Sequence, residues 1–281
     1  MRAMVESRTV SWDVVDAPGA IAWKLCTEGL SETIDWKKLG LDRSKYGDAG
    51  KFDCGVPTQT NSTIFAYDKD KLPNGPKTIV DLFDTKNFPG KRGLFKGFSP
   101  NLEWALVADG VPVKDVYKVL NTEVGVDRAF KKLDTIKKDV IWWTAGAQAP
   151  QLLADGQVVM TAAYHGRITN AAKESGKHFE IVWDAAQEGA SWFTIPKGSP
   201  HLDDAYKLLA FTGSPEPQAN LTRYIPYGPL NKDAMALLDP AVLPNVPNKP
   251  DRFAIALHPD YPFMIEKTDE LRQRFTAWLA K

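Results

Sequence analysis

The chain has 281 residues, 43% hydrophobic, 25% charged and 11% aromatic, a mixture that excludes disorder, whose mark is low hydrophobicity with large net charge. Lys+Arg and Asp+Glu both number 35, and this balance argues against nucleic acid or an anionic membrane surface as the main partner. No run approaches the roughly 18 consecutive apolar residues of a membrane helix, and Met1–Arg8 shows no secretory signal.

The first element is β-prone, Val10 to Val15, ending at the turn signal Asp16-Ala17-Pro18-Gly19. Ala20 to Leu25 reads as a short helix stopped by Gly29. Cys26 and Cys54 are the only cysteines. They lack C-x-x-C spacing, and His165, His178, His201 and His258 form no zinc pattern, so no metal site is expected. The two thiols are either unrelated and buried or joined in a disulfide. A disulfide would close a loop of about 29 residues, worth ~3–4 kcal/mol, and would place the chain in an oxidising compartment. A nucleophilic role has less support, since no His or Asn pattern accompanies either thiol.

Asn61 to Tyr67 is the next strand, followed by a turn-rich stretch, Lys69 to Pro76, and a helical turn at Ile79–Phe83. Arg92–Phe95 is a short strand, Lys96–Asn101 a loop and Leu102–Ala108 a helix. Val126, Phe130, Leu133 and Ile136 recur at helical spacing, and Val140–Trp143 is a strand. Ala149–Asp155 carries Pro150 at a helix start and Gly156 past its end. Val158–Tyr164 is a strand, and a helix opens at Gly166-Arg167 and closes at Gly176. Phe179–Trp183 and Ala190–Ile195 read as two separate strands. Ser199-Pro200 caps a helix ending at Gly213, and Ser214-Pro215 repeats the device. The last helix, about 263 to 280, shows Leu271, Phe275, Trp278 and Leu279 on one side. The alternation predicts an α/β protein with mostly parallel sheets covered on both faces.

Much chemistry is absent. There is no G-x-G-x-x-G, no P-loop, no G-x-S-x-G and no H-E-x-x-H, so neither cofactor nor catalytic residue is assigned. The positive signal is aromatic. Trp142, Trp143, Tyr164, Trp183, Trp192, Tyr224 and Tyr227 fall at strand ends or in loops, where α/β sheets place ligand crevices. The competing reading makes most of them core.

Four segments carry a family resemblance: Trp12 to Asp16, Leu152 to Arg167, Ile195 to Pro200 and Tyr224 to Asn231. In that order they resemble periplasmic solute-binding proteins of ABC importers, nearest the spermidine/putrescine-binding branch, over essentially the whole chain. The resemblance implies a two-lobed type II periplasmic-binding-protein fold that closes by a hinge on a small-molecule solute. It implies no enzymatic activity, a periplasmic location and the importer's membrane subunits as partners. The first lobe would be 1–68 plus 192–281 and the second 69–191. Cys26 and Cys54 would then share a lobe, which favours the disulfide. Family members begin with a strand, a helix and a second strand before a helix resembling Arg2–Ser7. The first lobe is therefore expected to lack that unit, and the open strand edge would invite pairing with another chain.

The resemblance also nominates a site. Tyr164 and Tyr227 match ligand-contacting aromatics, suited to an ammonium or a flat apolar group. Arg167 resembles the carboxylate clamp of relatives that bind γ-aminobutyrate. Trp192, Ser191 and Glu188 would be nearby contacts, and the Gly146-Ala147-Gln148 turn could aim N–H groups at an anion. Polyamine binders carry acids in the loop matching Gly97–Pro100 and before the match to Ile195-Pro196. Here those places hold Lys96-Gly97-Phe98-Ser99-Pro100 and Ser191-Trp192. A desolvated polyamine needs such carboxylates, so a solute bearing a carboxylate, with or without one amine, is favoured over a polyamine. Alternatives of another class are a carbohydrate-active or cysteine-dependent enzyme on a two-lobed fold, and a binder whose site has been lost.

Overall fold

A computed structural model describes residues 1–281. The chain forms two compact units, Met1–Asn61 with Gly189–Asn248 and Ser62–Glu188 with Lys249–Lys281. It opens in the first unit with α1 (Arg2–Glu6), β1 (Val15–Pro18), α2 (Gly19–Thr27) and α3 (Trp36–Leu39). Strand β2 (Val56–Asp68) carries it into the second unit, which adds α4 (Ile79–Leu82), β3 (Arg92–Phe95), α5 (Asn101–Ala108), α6 (Val116–Leu120), α7 (Glu123–Asp134) and β4 (Val140–Trp143). There follow α8 (Gln148–Ala154), β5 (Met160–Tyr164) and α9 (His165–Ser175). Strand β6 (Phe179–Thr194) returns the chain to the first unit for α10 (Leu202–Gly213), α11 (Pro215–Leu221) and β7 (Gly228–Pro229). The second unit closes with α12 (Pro250–Phe253) and α13 (Tyr261–Leu279).

In the first unit β1 runs antiparallel to the end of β6, from Val15↔Thr194 to Pro18↔Ser191. The start of β2 pairs antiparallel with β7 at Gln59↔Pro229 and Thr60↔Gly228. One core gathers Ile34, Leu39, Val56, Ile195, Tyr206 and Leu209, and a smaller one Ala219, Ala234, Leu238 and Val246. Cys26, at the end of α2, is bonded to Cys54, just before β2, with Cα atoms 5.6 Å apart. No cysteine is left free, so the thiol that a cysteine-dependent enzyme requires is gone.

In the second unit β3 lies between β4 and β5 and is parallel to both, with Phe95↔Trp143 on one side and Gly93↔Thr161 on the other. Strand β5 runs antiparallel to β2, from Thr63↔Tyr164 to Tyr67↔Met160. Gly93 is needed where β3 meets β5, because a Cβ there would lie 2.4 Å from Thr161 Oγ1. The core is a continuous apolar mass from Ile64 through Leu102, Leu106, Phe130 and Leu153 to Phe275. Arg92 is 0% exposed. Its guanidinium donates to the carbonyls of Leu82, Gly90 and Asp84, which satisfies a buried cation without an ion pair.

Three expectations need correction. Parallel ladders join β3 to β4 and β5, while β1–β6, β2–β5 and β2–β7 are antiparallel. The two strands expected at 179–183 and 190–195 are one, β6. Ala185 inside it turns left-handed (φ 49°) and gives its carbonyl to the Trp104 indole N–H at 2.8 Å, a local kink that leaves the strand continuous. Finally, residues 249–281 belong to the second unit rather than the first. Phe275 and Trp278 of α13 pack on Trp142 at 5.6 and 5.9 Å, and the Trp278 indole donates to Asp134 at 2.7 Å. The apolar stripe was legible, but which unit it would cover was a tertiary choice.

The disulfide spans 28 positions, so reducing it should lower the stability of the first unit by about 2–4 kcal/mol. Urea unfolding of oxidised and reduced protein checks this, the expected outcome being a lower midpoint on reduction.

Candidate functional site

The parallel arrangement of β3, β4 and β5 brings their carboxyl ends to one edge of the second unit, where α/β sheets offer their crevices. Phe95, Trp143 and Tyr164 end these strands. Phe95 and Trp143 lie with ring centroids 5.0 Å apart, and Tyr164 meets Trp143 edge-on at 6.4 Å and 69°. The three rings form one aromatic row.

Tyr164 is also the residue before α9 (φ −74°, ψ 126°), so the chain turns from extended to helical directly beneath its ring. His165 anchors that corner. It is fully buried, its Nδ1 accepts the Ser62 N–H at 3.1 Å, and its ring tilts onto Trp183 at 5.6 Å. Buried and bonded to the backbone of β2, this histidine is a fixture of the corner.

Arg167 lies one turn along α9 and is exposed. It makes no ion pair, and its guanidinium spends none of its five donors on the protein. On one side it borders a groove of about 460 Å³ between α8 and α9, lined also by Gln151, Asn170 and Glu174. On the other it lies against the loop after β4. At Gly146 a Cβ would stand 2.9 Å from the Tyr164 ring and 3.2 Å from Arg167 Nε. The missing side chain is what lets the backbone approach ring and guanidinium together.

The Gly146-Ala147-Gln148 turn is partly closed on itself. Gln148 Oε1 accepts the N–H groups of Thr144 and Ala145 at 2.8 and 2.9 Å, while its own N–H goes to Ala145 O at 2.9 Å. The N–H groups of Thr144, Ala145 and Gln148 are thus engaged within the loop, and α8 has only seven residues.

Glu188, the last residue of the second unit before β6 passes on, places Oε2 2.7 Å from His258 Nδ1. His258 Nε2 faces Phe253 O at 3.0 Å. The imidazole thus ties Glu188 to the Phe253 carbonyl.

The remaining expected residues lie in the first unit. Trp192 is 2% exposed, gives its indole N–H to Ala49 O at 3.0 Å and meets Phe52 edge-on at 5.4 Å. It is a core residue, and its expected role as a contact is withdrawn. Ser191 is buried, and its carbonyl accepts the Thr58 hydroxyl at 3.2 Å. Tyr227 is half-buried in the turn before β7, its N–H bonded to Ile225 O at 2.7 Å. Asp16 on β1, opposite Phe193, forms no ion pair, and desolvation raises its carboxyl above the usual range although its surface is exposed.

Sequence reasoning missed Gly146 as the close-packing position, and it missed Asp16 and the buried Glu103. Gly146 lies in a G-A-Q stretch that reads as an ordinary turn, and an isolated acid has no spacing to betray it. No group of three or more His, Cys, Asp or Glu could hold a metal ion, and no helix is long and apolar enough to cross a membrane.

Comparison with known proteins places this geometry in context. Residues 1–254 match the family described as bacterial extracellular solute-binding protein. The chain is 43% identical over its full 281 residues to the gamma-aminobutyric acid-binding protein of Pseudomonas aeruginosa PAO1, covering 79% of that protein. Among solved structures it is similar to the Atu4243 GABA receptor, with TM-score 0.89, 35% identity and coverage of 100% of this chain and 85% of the other. It is also similar to the binding protein MotA of A. tumefaciens B6 in complex with glucopine, with TM-score 0.88, 30% identity and coverage of 99% and 86%.

Gly146→Ala would drive a methyl group into the Tyr164 ring. The expected cost is about 1–3 kcal/mol with a displaced aromatic row. Near-UV circular dichroism and thermal unfolding check this, the expected outcome being a changed aromatic signal at retained helix content.

Proposed function

Because the chain belongs to the bacterial extracellular solute-binding proteins, which bind and do no chemistry, we propose that it captures a small solute bearing a carboxylate, with or without one amine. A γ-aminobutyrate-like or amino-acid-like molecule fits best, handed on to the membrane subunits of an ABC importer. The observation that carries this reading is Arg167, an unpaired guanidinium at the end of an aromatic row. A planar fork of donors matches a carboxylate bidentately. The Tyr164 ring beside it suits an aliphatic chain or an ammonium. The relatives named for gamma-aminobutyric acid point the same way. Tyr227 and Ser191 of the first unit stand as further proposed contacts. An extracellular family agrees with a chain whose two cysteines are paired, since such bonds persist in oxidising compartments such as the periplasm.

A polyamine is the weaker reading. The Lys96–Pro100 loop contains no acid, and Glu188, which could have met an ammonium, is engaged by His258 at 2.7 Å. A diamine taken from water would therefore lack the carboxylates it needs.

Calorimetry with γ-aminobutyrate, an α-amino acid and putrescine tests the proposal. A carboxylate-bearing solute should bind and putrescine should not. Arg167→Ala should weaken carboxylate binding about a hundredfold, the usual scale for losing one partner of a hydrogen-bonded charge pair. Tight putrescine binding with no carboxylate binding, or an unchanged affinity in the variant, would contradict it.

A further inference from the structure

One titratable group of the second unit is buried and unused by the site described above. Glu103, in the first turn of α5, is 0% exposed and pairs with no cation. Ser99 Oγ donates to its Oε1 at 2.8 Å and accepts from Gln187 Nε2 at 2.8 Å. Its Oε2 and the hydroxyl of neighbouring Tyr117 on α6 are both buried, and neither makes a hydrogen bond of good geometry. The Ser99 hydroxyl joins α5 to β6.

Ser99 lies in the 96–100 loop, which follows β3 along the edge that holds the aromatic row. The Lys96 N–H donates to Trp143 O at 2.8 Å. Asn101 Nδ2 donates to Phe95 O and Gly97 O, both at 2.7 Å. The loop is thus tied at one end to the strand whose ring supports Tyr164 and at the other to Glu103.

We propose that Glu103 is a positioning residue for the solute site: through Ser99 and Gln187 its carboxyl sets the 96–100 loop against Trp143, and with it the face on which the solute rests. This rests on the reading of Tyr164 and Arg167 as solute contacts.

The device responds to pH. Burial pushes the Glu103 carboxyl up to about 7, against the restraint of its Ser99 hydrogen bond. No cation acts on Glu103 or Tyr117. Tyr117 is raised by burial and by Glu103, and Asp260 and Tyr261 at the start of α13 add to that. Glu188 is engaged by His258, Arg128 of α7 by Asp109, and Asp184 accepts the Ile79 N–H of α4. The folded-state value lies above the ordinary 4.5, so the contribution of Glu103 is complete below that pH and is lost as pH rises through about 7. Ionisation leaves a buried charge without a counter-ion, and the loop it holds loosens.

Two readouts test this. In the solute-free protein, hydrogen exchange at the Lys96 amide, corrected for intrinsic rate, should lose about tenfold protection between about pH 6 and about pH 8.5. Glu103→Gln, which keeps the shape and an acceptor for Ser99, should hold its protection across that range. Ser99→Ala should be poorly protected at both ends. By calorimetry, the affinity of the wild type for γ-aminobutyrate should fall over the same range and that of Glu103→Gln should not. The same pH slope in wild type and Glu103→Gln, in either readout, overturns the positioning role. If γ-aminobutyrate does not bind at either pH, the reading of the site fails, and the exchange experiment still decides the role of Glu103.

Discussion

Phe95, Trp143 and Tyr164 end three neighbouring strands that run the same way, and much of the second unit is arranged to keep those ends together. Parallel pairing is what places three carboxyl ends on one edge. Gly93 allows β3 and β5 to approach at Thr161, and Gly146 allows the loop after β4 to lie on Tyr164 and Arg167. Buried Arg92 holds the entry to β3 through three carbonyls, while His165 holds the exit from β5. Each of these residues is spent on geometry, which leaves the guanidinium of Arg167 uncommitted at the rim. An aromatic row with a preorganised cation beside it binds better than the same groups on mobile elements, because less ordering is left to binding.

The charge pattern around the edge explains the preference for a carboxylate more directly than the aromatics do. Aromatic faces accept ammonium groups and aliphatic chains alike. Discrimination comes from what is paired and what is not. Glu188 is engaged by His258, the 96–100 loop has no acid, and Arg167 has no partner. An anion gains a cation there, whereas a diamine meets the unpaired Arg167 and finds no acid in the 96–100 loop.

Legibility in the sequence followed the range of the interactions involved. Helices and strands with their own periodicity, such as Leu102–Ala108, Val140–Trp143 and Met160–Tyr164, were visible from spacing alone. The pairing of Cys26 with Cys54 was favoured by the family resemblance, which put both in one lobe. What escaped depended on contacts between distant segments. The kink at Ala185 looked like a break because its compensation, the Trp104 indole, lies 81 positions away. Helix α13 showed its apolar stripe, but Trp142 and Phe130 decided where it went. Trp192 looked like a ligand contact from its place near a strand end, and only its bond to Ala49 and its packing on Phe52 reveal a core residue. Glu103 was invisible for a related reason: nothing in the local sequence Asn101-Leu102-Glu103-Trp104 says that the acid points inward.

The central claim is that Arg167 receives the carboxylate of the solute, and a crystal structure with γ-aminobutyrate bound tests it most directly. The account predicts both carboxylate oxygens within hydrogen-bond distance of the Arg167 guanidinium, with the aliphatic chain against Tyr164. A solute whose carboxylate lies away from Arg167, or whose ammonium end occupies that place, would contradict it.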